Sequence, residues 1–144
     1  MIAGRAFAYA WAFPTTAVGL VLVGLSLATG ARASVIEGVV EAHGGALQPL
    51  LKRFVPLRGG ASAMTLGHVV VARDVHALNR TRAHERAHVR QVERWGLFFV
   101  PAYAVASLVA ATRGGHYYWD NHFERDAVAV ASRAQELATK GTPS

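Results

Sequence analysis

A chain of 144 residues, 52% of them apolar and with a positive mean hydropathy, reads as one small domain too apolar for an ordinary soluble protein of its size. It has no cysteine, which excludes disulfides and thiolate metal sites and leaves histidine and carboxylate to hold any metal. The net charge of +6, carried by 13 Arg and 2 Lys against 9 acidic residues, comes with no nucleic-acid recognition motif and no interleaving of basic and aromatic side chains, so a nucleic-acid partner is not expected.

No charged residue stands between Ala6 and Ala28, a run of 23 residues. As a helix rising about 1.5 Å per residue it would cross a hydrocarbon layer of about 30 Å, with Pro14 predicted to kink it near the first third. The run is long for the apolar region of a signal peptide, and only Arg5 precedes it. Residues 1–30 therefore read as a membrane span or uncleaved anchor, rather than as a leader cut at Ala31-Arg32-Ala33. Arg32, Lys52, Arg53 and Arg58 follow the span, and this richer basic flank places the body of the protein, residues 31–140, on the cytoplasmic side of the cell (inner) membrane.

Ser34 to His43 and Ala63 to Arg73 are rich in Val and Ile and bounded by Gly44-Gly45 and Gly59-Gly60. They predict strands, and Leu47 to Val55, broken by Pro49 and Pro56, adds a third to a small antiparallel sheet of two or three strands. His68 falls with Leu66 and Val70 on an apolar strand face, where a hydrogen-bonded histidine is expected rather than a ligand. A strand just ahead of the next helix also offers an edge along which an extended peptide adds by backbone hydrogen bonds.

A helix is predicted over 80–95, capped by Asn79 or Thr81 and ended by Gly96. It carries His84-Glu85-Arg86-Ala87-His88, the pattern H-E-x-x-H. Residues four apart stand one turn above each other, so His84 and His88 can offer imidazoles to one ion with Glu85 beside it. Zinc suits such a site, because it takes neutral imidazole nitrogen and keeps a position for water when three protein groups bind. At about 100° per residue, Gln91 and Trp95 share the histidine face. Arg82, Arg86, Arg90 and Arg94 form a stripe opposite, either solvated or laid against anionic head groups.

Leu97 to Ala111 is charge-free, but 15 residues reach only about 23 Å as a helix, short of a full crossing. It reads as buried, interfacial or re-entrant. After Gly114-Gly115 comes the aromatic loop His116-Tyr117-Tyr118-Trp119-Asp120, then a last helix from about Asn121 to Thr139 and a flexible tail, 141–144. The overall class is α+β: an N-terminal transmembrane helix, a small sheet, then three helices.

Candidates for a third metal ligand downstream of His88 are Glu93, His116, Asp120, His122, Glu124, Asp126 and Glu136. Glu93 points away from the histidine face and Glu136 lies near the exposed end of the last helix. Glu124, in the first turn of that helix on the side of Ala127, Val128 and Ala131, is the best placed. The same residue fits a capping box with Asn121, a role that needs no metal, and spacing alone leaves the two roles even.

His84 to Gln91 read H-E-x-x-H-x-x-Q, and Asn121 to Ala127 read N-x-F-E-R-x-A. Together these motifs resemble the glutamate-type zincins (gluzincins), in particular small bacterial membrane-associated proteins with a zincin-like core, over roughly residues 62 to 130. The resemblance implies that His84, His88 and Glu124 bind Zn2+ and that Glu85 is the catalytic base; one position departs, His122 standing where such sequences often carry Pro. Zinc chemistry then predicts hydrolysis of a peptide or protein substrate by an activated water. His116, Tyr117, Tyr118 and His122 are candidate donors to the oxyanion. Because ligands lie within about 2.1 Å of the ion, His88 and Glu124 belong on one side of the bilayer, so residues 97–111 do not make a single crossing. Two other readings use the same residues: a zinc that only ties two helices together, and a metal-free membrane adaptor whose Arg stripe meets anionic lipid or an acidic partner.

Overall fold

The computed structural model describes residues 2–141; the rest of the expected tail, from 142 onward, lies outside them. In chain order the elements are α1 (Ile2–Leu27), β1 (Arg32–Ile36), β2 (Val39–His43), α2 (Leu47–Arg53), β3 (Ala63–Leu66), β4 (Val69–Ala72), α3 (Val75–Trp95), a 3-10 turn (Gly96–Phe98), α4 (Phe99–Thr112) and α5 (His122–Lys140). The fold is α+β.

The sheet is larger than the sequence suggested, and it is mixed. Its strand order is β1-β2-β4-β3; the two outer pairs are antiparallel, while β2 and β4 run parallel with Val40 opposite Val69. Each segment read as one long strand is a two-residue hairpin. Glu37 and Gly38 both take positive φ (51° and 79°), the requirement of a type I′ turn, and Gly67 (64°) opens the second hairpin with His68 beside it in the turn rather than on a strand. The third strand expected at Leu47 to Val55 is instead helix α2. Pro49 sits in its first turn, where the missing N–H has no helical acceptor to lose.

Both faces of β4 are covered, which is why it is apolar throughout instead of alternating. Val69 and Val71 pack with Ala42, with Leu47 and Leu51 of α2, and with Val23 of α1. Val70 and Ala72 face the other way, onto Ala77, Leu78 and Val89 of α3. A third cluster joins Ala12 of α1, Val92 of α3, Phe99 of α4 and Phe123 of α5. Each fully buried Val or Leu contributes roughly 1.5–3 kcal/mol, so the sheet and α3 form a firm base for the site.

Helix α3 is longer than predicted because its cap lies further back. Asp74, not Asn79 or Thr81, accepts from the Ala77 amide at 2.8 Å, while the Thr81 hydroxyl returns to the Ala77 carbonyl. Gly96 ends the helix as expected, its N–H donating to the Val92 carbonyl.

The arginine stripe is divided. Arg82 and Arg86 hold the carboxylate of Glu41 on β2, 1% exposed, at 2.9 and 2.8 Å, whereas Arg90 and Arg94 are exposed. Burial pushes the Glu41 carboxyl up, but the guanidinium of Arg82 and then that of Arg86 outweigh it and hold its pKa below the ordinary value.

Two helical stretches are long and apolar enough to cross a membrane, Gly4–Leu27 and Val75–Thr112. The second joins α3 to α4, whose 14 residues alone reach about 21 Å. Helix α1 continues through Pro14, with the Thr15 and Thr16 hydroxyls returned to the Ala12 carbonyl.

Candidate metal centre

His84 and His88 stand one turn apart on α3, and their Nε2 atoms approach to 3.1 Å. Glu124 comes from the first turn of α5, with Oε2 3.1 Å from His84 Nε2 and Oε1 3.3 Å from His88 Nε2. The three groups offer ligand atoms within 4.8 Å of one another. Donor atoms in a tetrahedral site with bonds of about 2.1 Å are about 3.4 Å apart, so this spacing fits a zinc-sized ion.

The donor chemistry points the same way. Gln91 donates both hydrogens of its amide nitrogen, to the Phe123 carbonyl (3.0 Å) and to Asp126 (2.9 Å). That leaves its oxygen to face His88 Nδ1 at 2.9 Å, and an amide oxygen only accepts, so Nδ1 carries the proton. In neutral His88 the Nε2 lone pair is thereby aimed at the cluster. Oxygen Oε2 of Glu124 is buried there without a hydrogen-bond partner among the described residues. Lone pairs converging on one point need a cation or a proton between them. With a proton in that role, His88 has its pKa lowered by burial and raised by Glu124, and the carboxylate wins. Burial likewise pushes Glu124 up, while the imidazoles of His84 and His88 hold it well below the ordinary carboxylate range.

The ambiguity over Glu124 is resolved by its neighbours. Asn121 is the cap: its side chain accepts from the Phe123 amide at 2.8 Å, and its own amide donates to the Tyr118 carbonyl, leaving nothing for a capping-box glutamate to satisfy. The Asn121 amide nitrogen also binds the Tyr103 carbonyl and Ser107 Oγ of α4, fixing the start of α5 against that helix. Tyr103 then donates its hydroxyl to Glu124 Oε1 at 2.6 Å. Ala127, fully buried one turn on, lets α5 lie close to α3.

Glu85 lies beside the cluster in a cleft of about 330 Å³ that it lines together with His88 and Glu124. Thr65 of β3 donates to its Oε2 at 2.7 Å. Burial, only partly countered by His88 and Thr65, raises the Glu85 pKa, the direction that makes a carboxylate a better proton acceptor.

The four candidate oxyanion donors part company. Tyr118 lines the cleft, its phenol held in the protonated form by burial and by the charge of Glu124. Tyr117 also lines it, but its hydroxyl is given to the Pro56 carbonyl. His116 is exposed and is used by the loop itself, its Nδ1 accepting from the Tyr118 amide. His122 is exposed next to the cap and borders a different groove, with Arg113 and Arg125. Neither histidine is placed to reach the cleft.

The other acidic candidates are engaged elsewhere or exposed: Glu93 pairs with His68 at 2.9 Å, Asp120 accepts from the His116 amide, Asp126 accepts from Gln91, and Glu136 is exposed. Sequence reasoning missed Tyr103 and Thr65. Tyr103 had a signal, as the only tyrosine in a charge-free run, whereas Thr65 looks like any strand threonine.

Comparison with protein-family profiles, with curated proteins and with solved structures found no match to this chain. The functional reading therefore stands on the site.

Proposed function

We propose that the protein is a membrane-associated zinc-dependent hydrolase of the gluzincin type that cleaves peptide bonds. The observation that carries this reading is the convergence of His84 Nε2, His88 Nε2 and the buried carboxylate of Glu124 beside the buried carboxylate of Glu85. Bound there, zinc would supply a water of lowered pKa and polarise the attacked carbonyl. With the ion held by His84, His88 and Glu124, Glu85 would be the group that accepts a proton from the attacking water. When the C–N bond breaks, Glu85 returns the proton to the leaving nitrogen, so the carboxylate ends as it began. Tyr118 is the candidate oxyanion donor, and Tyr103 orients Glu124.

Strand β3 is at an edge of the sheet and contributes Ala63, Met64 and Thr65 to the cleft wall, which suits an extended peptide added along that edge. Helix α1 provides the membrane attachment through the face that it does not pack on the domain, and the basic residues after it favour the cytoplasmic side for the body of the protein. A metal-free adaptor relying on the arginine stripe has less support, since Arg82 and Arg86 are spent on Glu41.

The test is purification followed by elemental analysis and a peptide-cleavage assay. Wild type is expected to hold zinc and cleave, Glu85→Gln to hold zinc without cleaving, and His84→Ala to lose zinc. Wild-type protein that takes up no stoichiometric zinc overturns the proposal, and zinc bound without cleavage by any assay leaves only a metal that ties helices.

A further inference from the structure

Helix α1 has two faces of different use. One recurs every three or four residues and is seated on the domain: Tyr9 donates to the Gly38 carbonyl at 2.9 Å, Thr16 Oγ1 accepts from the His68 amide, Ala12 is fully buried, and Val23 sits in the core under the sheet. The docking is close enough that a Cβ at Gly96 would lie 2.0 Å from the Trp11 indole nitrogen. The other face is apolar and bare, with Phe7 66%, Phe13 60% and Val21 63% exposed. Helix α4 has a matching bare face, with Val105 60% and Leu108 64% exposed. The rings Phe7, Trp11 and Phe98, 6.0 and 5.9 Å apart, join the two.

Two bare apolar helix faces linked through the Phe98 ring call for a partner. Their charge pattern selects a bilayer over a protein. Each charge-free run is bracketed by arginines, Arg5 and Arg32 around α1, Arg94 and Arg113 around α4, which matches an acyl interior bounded by anionic phosphates. Helix α4 is too short to cross, so it lies along the membrane face. Its other side, through Phe99, Val100 and Tyr103, is a wall of the metal cleft, opposite Val55, Leu57 and Met64.

We infer that α1 and α4 form one bilayer-facing surface, and that the cleft at its margin takes an apolar peptide segment presented from the membrane. The second half rests on the hydrolase reading for what happens to that peptide, and on the position and lining of the cleft for its capture.

The chain has no cysteine, so single cysteines in the full-length protein report without background. In vesicles of mixed zwitterionic and anionic phospholipid, Val105→Cys, Leu108→Cys and Phe13→Cys are expected to lose labelling by a water-soluble maleimide. Fluorophores at these positions should be quenched by nitroxide lipid, while Arg133→Cys on the exposed part of α5 labels freely. Positions 105 and 108 labelling as fast as 133 overturns the bilayer surface, whatever the protein catalyses.

For the cleft, a lipid-anchored peptide with an apolar photo-crosslinking segment is added to zinc-loaded Glu85→Gln protein in the same vesicles. Crosslinks are expected within 55–64 and 99–103 and are lost in the additional variant Val100→Asp, which puts a charge on the cleft wall at a side chain that is 58% exposed. Crosslinks absent there, or formed equally by a free polar peptide, overturn the membrane-borne substrate. Crosslinks present with no cleavage by wild type count against the hydrolase alone.

Discussion

Gln91 is the residue whose removal tests the proposed metal centre most directly, because it touches His88 without being one of the three candidate ligands. In Gln91→Leu the 2.9 Å bond from His88 Nδ1 is lost, and with it the constraint that keeps the Nε2 lone pair aimed at the cluster. Loss of such an outer partner weakens a metal site by about 10–100-fold, or roughly 1.4–2.7 kcal/mol. The fold is affected too: His88 Nδ1 loses its buried acceptor and the Phe123 carbonyl one donor, while the exposed Asp126 regains water, so about 1–3 kcal/mol is expected in the metal-free protein. The matched control is Asp126→Ala, which removes one acceptor of that amide and leaves the imidazole bond intact. Competition titration against a chromophoric zinc chelator, with thermal unfolding of the metal-free proteins alongside, separates the two effects. Zinc affinity unchanged in Gln91→Leu, or lowered as much in Asp126→Ala, refutes the reasoning that Gln91 sets the His88 tautomer for metal binding.

Three further changes address other parts of the structure. Glu41→Gln leaves Arg82 and Arg86 facing the sheet without their anion and is expected to cost about 3 kcal/mol in denaturant unfolding, the low end for a broken buried pair because Arg82 is 38% exposed. Since the folded pKa of Glu41 is depressed, its contribution is complete above the ordinary 4.5 and is lost as pH falls through the lower folded value; the variant should lack that acid-side loss, and identical pH–stability curves below 4.5 count against the pairing. Tyr103→Phe removes the 2.6 Å bond to Glu124 and is expected to weaken zinc about tenfold with the fold intact, an outcome the same chelator titration reads. Gly96→Ala drives a Cβ into the Trp11 indole at a positive φ (55°) and is expected to destabilise the protein by about 2 kcal/mol, seen as a lower thermal midpoint, while metal affinity per folded molecule stays unchanged.

What was legible in the sequence was what local spacing dictates. His84 and His88 had to share a face once Val75–Trp95 was helical, and Gly96 had to end it. The four-stranded sheet was missed because the two-residue turns Glu37-Gly38 and Gly67-His68 lie inside Val-rich runs, and β4, buried on both faces, lacks the alternation that marks a half-buried strand. The cap at Asp74 was hidden because Val75 to Arg80 have little apolar periodicity of their own. The arginine stripe misled for a different reason: its sequence period is that of a solvated face, and only the tertiary fold brings Glu41 from β2, more than forty residues away in sequence, beneath Arg82 and Arg86.

Asn121 and Glu124 divide the two roles that the motif offered, Asn121 capping α5 and Glu124 standing in the cluster with His84 and His88. A helix start needs an acceptor for its first free amides, and Asn121 meets that need with its side-chain oxygen while its side-chain nitrogen ties α5 to α4. Glu124 is thereby released from capping, and its buried Oε2 stands 3.1 Å from His84 Nε2. A carboxylate in that state is costly unless something positive is supplied to it. The two roles separate under substitution. Asn121→Ala should shorten or displace the first turn of α5 and lower both stability and zinc affinity. Glu124→Gln keeps the cap and should abolish zinc binding, while the metal-free fold loses only what the carboxylate gains from His84, His88 and Tyr103, a smaller loss than that of Asn121→Ala. A Glu124→Gln protein that unfolds as readily as Asn121→Ala would mean the carboxylate serves the helix and not an ion.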